Sequence, residues 1–139
     1  RKGRDAVARG FRAVKFGWGP YGQSTVEADR DQVFAAREGI GRDAILLVDA
    51  GTAFGEDVEA AAARLPALEA TQATWLEEPF AAGALGAYGA LARRSSRVRL
   101  AGGEGSHDVH MAKNLLEHGG VGYVQIDTGR IGGITSAYE

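Results

Sequence analysis

Five short apolar stretches of this chain each carry an ionisable residue at their end, and the interval from one to the next is nearly regular. Lys15 lies in FRAVKF, Asp49 in ILLVDA, Glu77 in TWLEEP, Glu104 in RLAGGE and Asp127 in YVQID. The intervals of 34, 28, 27 and 23 residues between these positions each leave room for one strand, one returning helix and two loops, which is the pitch of a parallel βα repeat. Parallel strands present their C-terminal ends on one side, so the five charged groups converge on one rim. The expected fold is α/β: a partial (β/α) barrel of the TIM type, with about five consecutive parallel βα units. On such barrels that rim carries the active site, while the opposite face serves mainly stability.

Composition narrows the partners. The 139 residues are 45% apolar and 24% charged, which is ordinary globular material with enough length for a core. A net charge of −2 gives no basic footprint for nucleic acid. No apolar run approaches the roughly 18 to 20 residues that cross a bilayer, and no signal-peptide pattern opens the chain. Neither membrane nor nucleic acid is expected as a partner, and the expected location is cytoplasmic. The absence of Cys removes disulfides, thiolate metal ligands and cysteine nucleophiles.

The opening RKGRDAVARGF reads as the tail of a helix closed by Gly10, and GGITSAYE reads as the start of another. An eight-unit barrel takes about 250 residues, so residues 1–139 are expected to be part of a barrel domain whose last strands, and a separate capping domain, lie outside this sequence. VEADRDQVFAAREGIG has helical spacing and stops at Gly39 or Gly41, whereas Pro66 should end or kink DVEAAAARLPALEA close to Leu65. LGAYGALARRS is a shorter helix. In SHDVHMAKNLLEHGG, Ser106 is the expected N-cap, Met111, Leu115 and Leu116 the buried side, and Gly119 and Gly120 the stop. The near-continuous apolar runs of the strands imply that both sheet faces are covered.

Asp49, Glu77 and Glu104 carry the sharpest chemical expectation. Adjacent strands lie about 4.8 Å apart, so acids ending three successive strands can reach one ion with oxygen ligands at about 2.1 Å. Three crowded carboxylates repel unless a cation joins them, and an oxygen-only set favours Mg²⁺ over Zn²⁺. The competing reading makes each acid a helix cap or a salt-bridge partner. Glu78 should point away from Glu77 along a strand and is read as structural. Lys15 either holds a substrate carboxylate or forms a structural ion pair with Asp49. Asp127 either caps the next helix or has a catalytic or orienting part.

GFRAVK, VDA, WLEEP, GGEG and QIDTGRIGGIT, in this order and at these intervals, resemble the barrel domain of the enolase superfamily, in its mandelate racemase-like branch. The resemblance covers essentially the whole chain and implies that it runs from the second barrel strand to just past the sixth. It implies Asp49, Glu77 and Glu104 as the three Mg²⁺ ligands, Lys15 as a substrate-binding or electrostatic lysine, and Asp127 as the acid paired with a catalytic His on the seventh strand, beyond Glu139. It also implies a homo-oligomer acting on a small carboxylate substrate. Two positions depart from the family pattern. Gly17 stands where a second, proton-abstracting lysine is common, and Gly51 where Asn often follows the first ligand.

The family's shared step removes the proton next to a carboxylate, giving an enediolate whose charge is stabilised by Mg²⁺ and a cationic lysine. A racemase needs a base on each face of the carbon. With Gly17 in place of one, a single His–Asp base suits dehydration of an acid sugar, and racemisation or epimerisation is the alternative. A non-catalytic family member is a third reading. A Schiff base on Lys15 would leave the three acids unexplained. GWGPYG fits the GxGxxG pattern, but Pro20 and the delayed helix argue against a dinucleotide turn. The same loop can act as a lid through Trp18 and Tyr21, or be plain surface. Of His107, His110 and His118, the first is the one close enough in sequence to Glu104 to face the site.

Overall fold

A computed structural model describes residues 1–95 and 97–139. Among them, five strands form one sheet in sequential order with every neighbouring pair parallel. The strands are β1 (Ala13–Phe16), β2 (Ile45–Asp49), β3 (Ala73–Glu77), β4 (Arg99–Gly102) and β5 (Tyr123–Val124). They alternate with α1 (Lys2–Ala8), α2 (Val26–Ile40), α3 (Val58–Ala62), α4 (Leu65–Ala70), α5 (Leu85–Ala92), α6 (Val109–His118) and α7 (Ile134–Tyr138). Sequential parallel order with intervening helices is the plan of a (β/α) barrel segment, as the spacing predicts. No helix of the described residues is long and apolar enough to cross a membrane.

Local chemistry sets the helix ends. The Thr25 hydroxyl accepts from the Ala28 amide, opening α2, and Gly41 at φ 77° closes it. Arg37, in the last turn, donates to the carbonyls of Gly41, Ala44, Thr71 and Gln72, tying that end to the loops that lead into β2 and β3. The predicted Pro66 break is real but falls slightly earlier: α3 ends at Ala62, and Pro66 sits in the first turn of α4, where its missing N–H has no helical partner to lose. Asp108, not Ser106, caps α6, accepting from the Met111 amide at 2.8 Å; Ser106 is itself buried in the preceding loop. Ala112 and Leu115 form the buried side of that helix, whereas Leu116 is exposed.

The core lies between one sheet face and the helices. Leu46, Val48, Leu76 and Leu100 are at most 2% exposed and pack with Val33, Leu68, Tyr88, Leu91 and Leu115. On the other sheet face, Ile45 and Tyr123 are exposed among the described residues.

The register between β2 and β3 is not uniform. Leu46 pairs with Ala73, but Leu47 pairs with Trp75, so Thr74 is an extra residue in β3. Such a bulge reverses which face the following side chains occupy. Beyond it, Leu47 and Asp49 share a face with Trp75 and Glu77, and Asp49 stands in register with Glu77.

The loop between β1 and α2 is pinned from beneath. Tyr21 is buried at 2% exposure, which excludes it as part of a lid. The Gly22 amide donates to Asp29 Oδ1 at 3.0 Å, and Arg64 donates through Nε to Asp29 Oδ2 at 3.0 Å. Arg64 also donates to the Ser24 carbonyl and lies over the Phe54 ring. Both charges are out of solvent, so removing one leaves the other uncompensated. Asp29→Ala should therefore destabilise the protein by about 3–5 kcal/mol in denaturant unfolding.

Candidate active site

The C-terminal ends of β1, β2 and β3 bring three of the predicted residues together. Lys15 Nζ donates to Glu77 Oε1 at 2.6 Å and lies 3.0 Å from Asp49 Oδ2. Glu77 is buried and Asp49 nearly so, while the lysine side chain remains 41% exposed. Desolvation draws the Lys15 pKa down, but hydrogen bonds and charge from Glu77 and Asp49 outweigh it and hold the pKa above its ordinary value. The group is therefore an ammonium. One ammonium faces two carboxylates, and Glu77 Oε2 is buried with no hydrogen-bond partner among the described residues.

Glu104 stands apart from this trio. It follows β4, and its half-exposed carboxylate is 3.9 Å from Arg130 Nη2. Among the described residues, no group of three or more His, Asp or Glu is arranged to hold a metal ion. The arrangement is thus a pair, Asp49 and Glu77, bridged by Lys15, with Glu104 beyond. Asp127 lies three residues past β5, and its Oδ1 accepts from the amides of Gly129 at 2.7 Å and Arg130 at 3.0 Å. That is a turn cap, and it leaves Oδ2 without a hydrogen-bond partner among the described residues. His107, His110 and His118 have no partner in this trio and do not join it.

Glu78 belongs to the site although strand alternation assigns it elsewhere. Its φ of 39° breaks the extended geometry, so the alternation argument stops at Glu77. Pro79 did not signal this, because the residue before a proline is biased toward extended geometry. Burial raises the Glu78 pKa above the ordinary carboxyl value, and the charges of Glu104, Glu77 and Asp49 add to this against a hydrogen bond from Gly105. Four carboxylates thus share one electrostatic neighbourhood.

Close packing against backbone dictates Gly17, and a left-handed backbone favours glycine at position 51. Gly17 has φ 117°, and a Cβ there would collide with the Asp49 carbonyl oxygen. Gly51 has φ 53°, donates its amide to Asp49 Oδ1 at 3.0 Å, and would place a Cβ 3.0 Å from Cδ1 of the exposed Trp18. A side chain at residue 17 therefore conflicts with the backbone that positions Asp49.

Two predictions follow from these contacts. Gly17→Ala should lower stability by about 2 kcal/mol or more, read from denaturant midpoints. Because folding raises the Glu78 pKa, the stability this group confers is complete below the ordinary value of 4.5 and is lost as pH rises through the folded-state value. Glu78→Gln should flatten that part of the stability–pH curve and make the metal-free protein more stable at neutral pH, which thermal melts across pH would show.

Comparison with known proteins gives consistent results. The family model described as enolase C-terminal domain-like matches residues 1–139. A crystal structure of a predicted mandelate racemase from Rhodobacter sphaeroides superposes with a TM-score of 0.92 at 61% identity, covering 98% of this chain and 35% of that one. L-talarate dehydratase from Polaromonas sp. JS666, solved in complex with Mg and L-glucarate, superposes with a TM-score of 0.86 at 28% identity, covering 96% of this chain and 36% of that one. The 3,6-anhydro-alpha-L-galactonate cycloisomerase of Streptomyces coelicolor is 33% identical over 130 residues, which are 94% of this chain and 34% of that protein. The chain spans about a third of the length of each of these relatives.

Proposed function

This chain belongs to the enolase superfamily, as part of the C-terminal barrel domain of its mandelate racemase and muconate lactonizing branch, and from that membership we propose that it takes part in Mg²⁺-dependent removal of the proton α to a carboxylate, in the dehydration of an acid sugar. The observation that carries the reading is the Asp49–Glu77 pair with its buried, unpartnered Glu77 Oε2. An all-oxygen donor set of this kind fits a hard divalent ion. Asp49 and Glu77 would hold it, with Glu104 as the third ligand. The ion, when bound, supplies positive charge where the negative charge of the enediolate develops.

The chain's own residues supply binding and orientation around that step. Lys15 adds a second cation on the same rim and binds the substrate carboxylate. Gly51, through its amide, fixes the orientation of the Asp49 carboxylate. Asp127, with one oxygen engaged by its turn, uses the other to orient a histidine base. The packing at Gly17 favours one base over two, because the backbone leaves no room for a side chain on that side. A single base suits elimination: it takes the α-proton, and the β-hydroxyl leaves as water. The sugar-acid compounds named with two relatives, L-glucarate and an anhydro-galactonate, support the substrate class.

Racemisation or epimerisation is the second reading, favoured by the 61% identity to a predicted mandelate racemase. Incubation of the full-length protein with sugar acids and Mg²⁺ in deuterated water separates the two. Dehydration should give a keto-deoxy product that disappears when the metal is chelated. Recovered substrate that is inverted and α-deuterated, with no keto product, would establish racemisation instead. Glu77→Gln should abolish measurable Mg²⁺ binding by calorimetry and at least about 10³-fold of the rate, on the scale of losing a preorganised charge-stabilising group.

A further inference from the structure

The Lys15 ammonium does more than add positive charge to the rim. Nζ lies 2.6 Å from Glu77 Oε1 and 3.0 Å from Asp49 Oδ2, so it stands between the two acids whose side chains the strand register sets side by side. We infer that Lys15 holds the cation position between Asp49 and Glu77 in the metal-free protein and is displaced when the divalent ion binds, so that metal loading frees the lysine for the substrate's carboxylate. This inference rests on the metal-site reading above and adds an order of events: metal first, anionic substrate second.

Three features of the site support it. A divalent ion about 2.1 Å from carboxylate oxygens would contact the same groups that Lys15 now contacts, and two cations this close repel. Of the three side chains, only the lysine is free to leave. Glu77 is buried with 2% of its side chain exposed, and the Asp49 side chain is 10% exposed and receives the Gly51 amide, whereas Lys15 is 41% exposed on a flexible four-carbon stem. Finally, one positive charge leaves two carboxylates short and Glu77 Oε2 unpartnered, a deficit that a doubly charged ion would fill and an ammonium cannot.

The test compares Mg²⁺ affinity of the full-length protein with that of its Lys15→Met variant by calorimetry, with Lys15→Gln serving should the methionine variant not fold. Removing the competing ammonium should tighten Mg²⁺ binding by about tenfold or more, the effect of one like charge at short range. In the unmodified protein, the rate at which acetic anhydride acetylates Lys15, read by peptide mass spectrometry against Lys2 and Lys113, should rise severalfold when Mg²⁺ is added. Equal affinities, or a Lys15 labelling rate that is unchanged or falls with Mg²⁺, would overturn the exchange while leaving the metal site intact. Failure of both proteins to bind Mg²⁺ would instead remove the metal reading, and this inference with it.

Discussion

A single extra residue in β3 decides the character of the whole rim. Were Thr74 paired with Leu47 in place of bulging out, the register of Leu46 with Ala73 would continue unchanged, and Glu77 would follow Ala73 toward the helices and the apolar core. There its carboxylate would meet the apolar core that holds Leu68 and Tyr88, with no cation available. The bulge turns it to the opposite face, in register with Asp49 and within reach of Lys15 on the next strand but one. A backbone irregularity that costs ladder hydrogen bonds is thereby converted into two parallel carboxylates, and bulges are recurrent beside active sites for this reason.

That geometry constrains the neighbouring loops in turn. The chain after β1 passes close to the Asp49 carbonyl, which Gly17 permits by having no side chain. The loop then needs an anchor, and it is supplied by buried Tyr21 and by the Asp29–Arg64 pair, which connects the start of α2 to the turn between α3 and α4. Trp18 is left outside this anchorage, exposed and next to Gly51. The loop is thus anchored from beneath and presents one indole at the edge of the site.

The strand positions, the parallel order and the helix ends at Gly41 and Gly120 were legible in the sequence because each has a local cause: apolar runs, capping chemistry and glycine's tolerance of positive φ. So were Asp49 and Glu77, because they end β2 and β3. What sequence did not reveal depends on contacts between distant segments. The Asp29–Arg64 pair spans 35 residues, and nothing local marks either member as buried. Tyr21, in a Gly- and Pro-rich loop, reads as surface until Asp29 and Arg64 draw that loop onto the core. Ser106 and Asp108 are both acceptable caps, and tertiary burial of the serine chose between them. Strand alternation placed Glu78 away from the rim, and the left-handed backbone before Pro79 returned it to the neighbourhood of Glu104.

Charge balance links these observations. The rim gathers Asp49, Glu77, Glu78 and Glu104, with Lys15 bridging the first two and Arg130 at a longer 3.9 Å from the last. Glu78 responds as a buried acid beside other acids must, by favouring its neutral form, and so relieves part of the repulsion. Glu77 keeps a second oxygen closed off from solvent and without a hydrogen-bond partner among the described residues. A site that only needed stability would be better served by apolar residues at these positions, since buried ionic groups rarely repay their desolvation. Retaining an under-neutralised pair of carboxylates makes physical sense where a further positive charge is to be bound, and the solvent-accessible side chain of Lys15 is the member of the cluster able to make way for it.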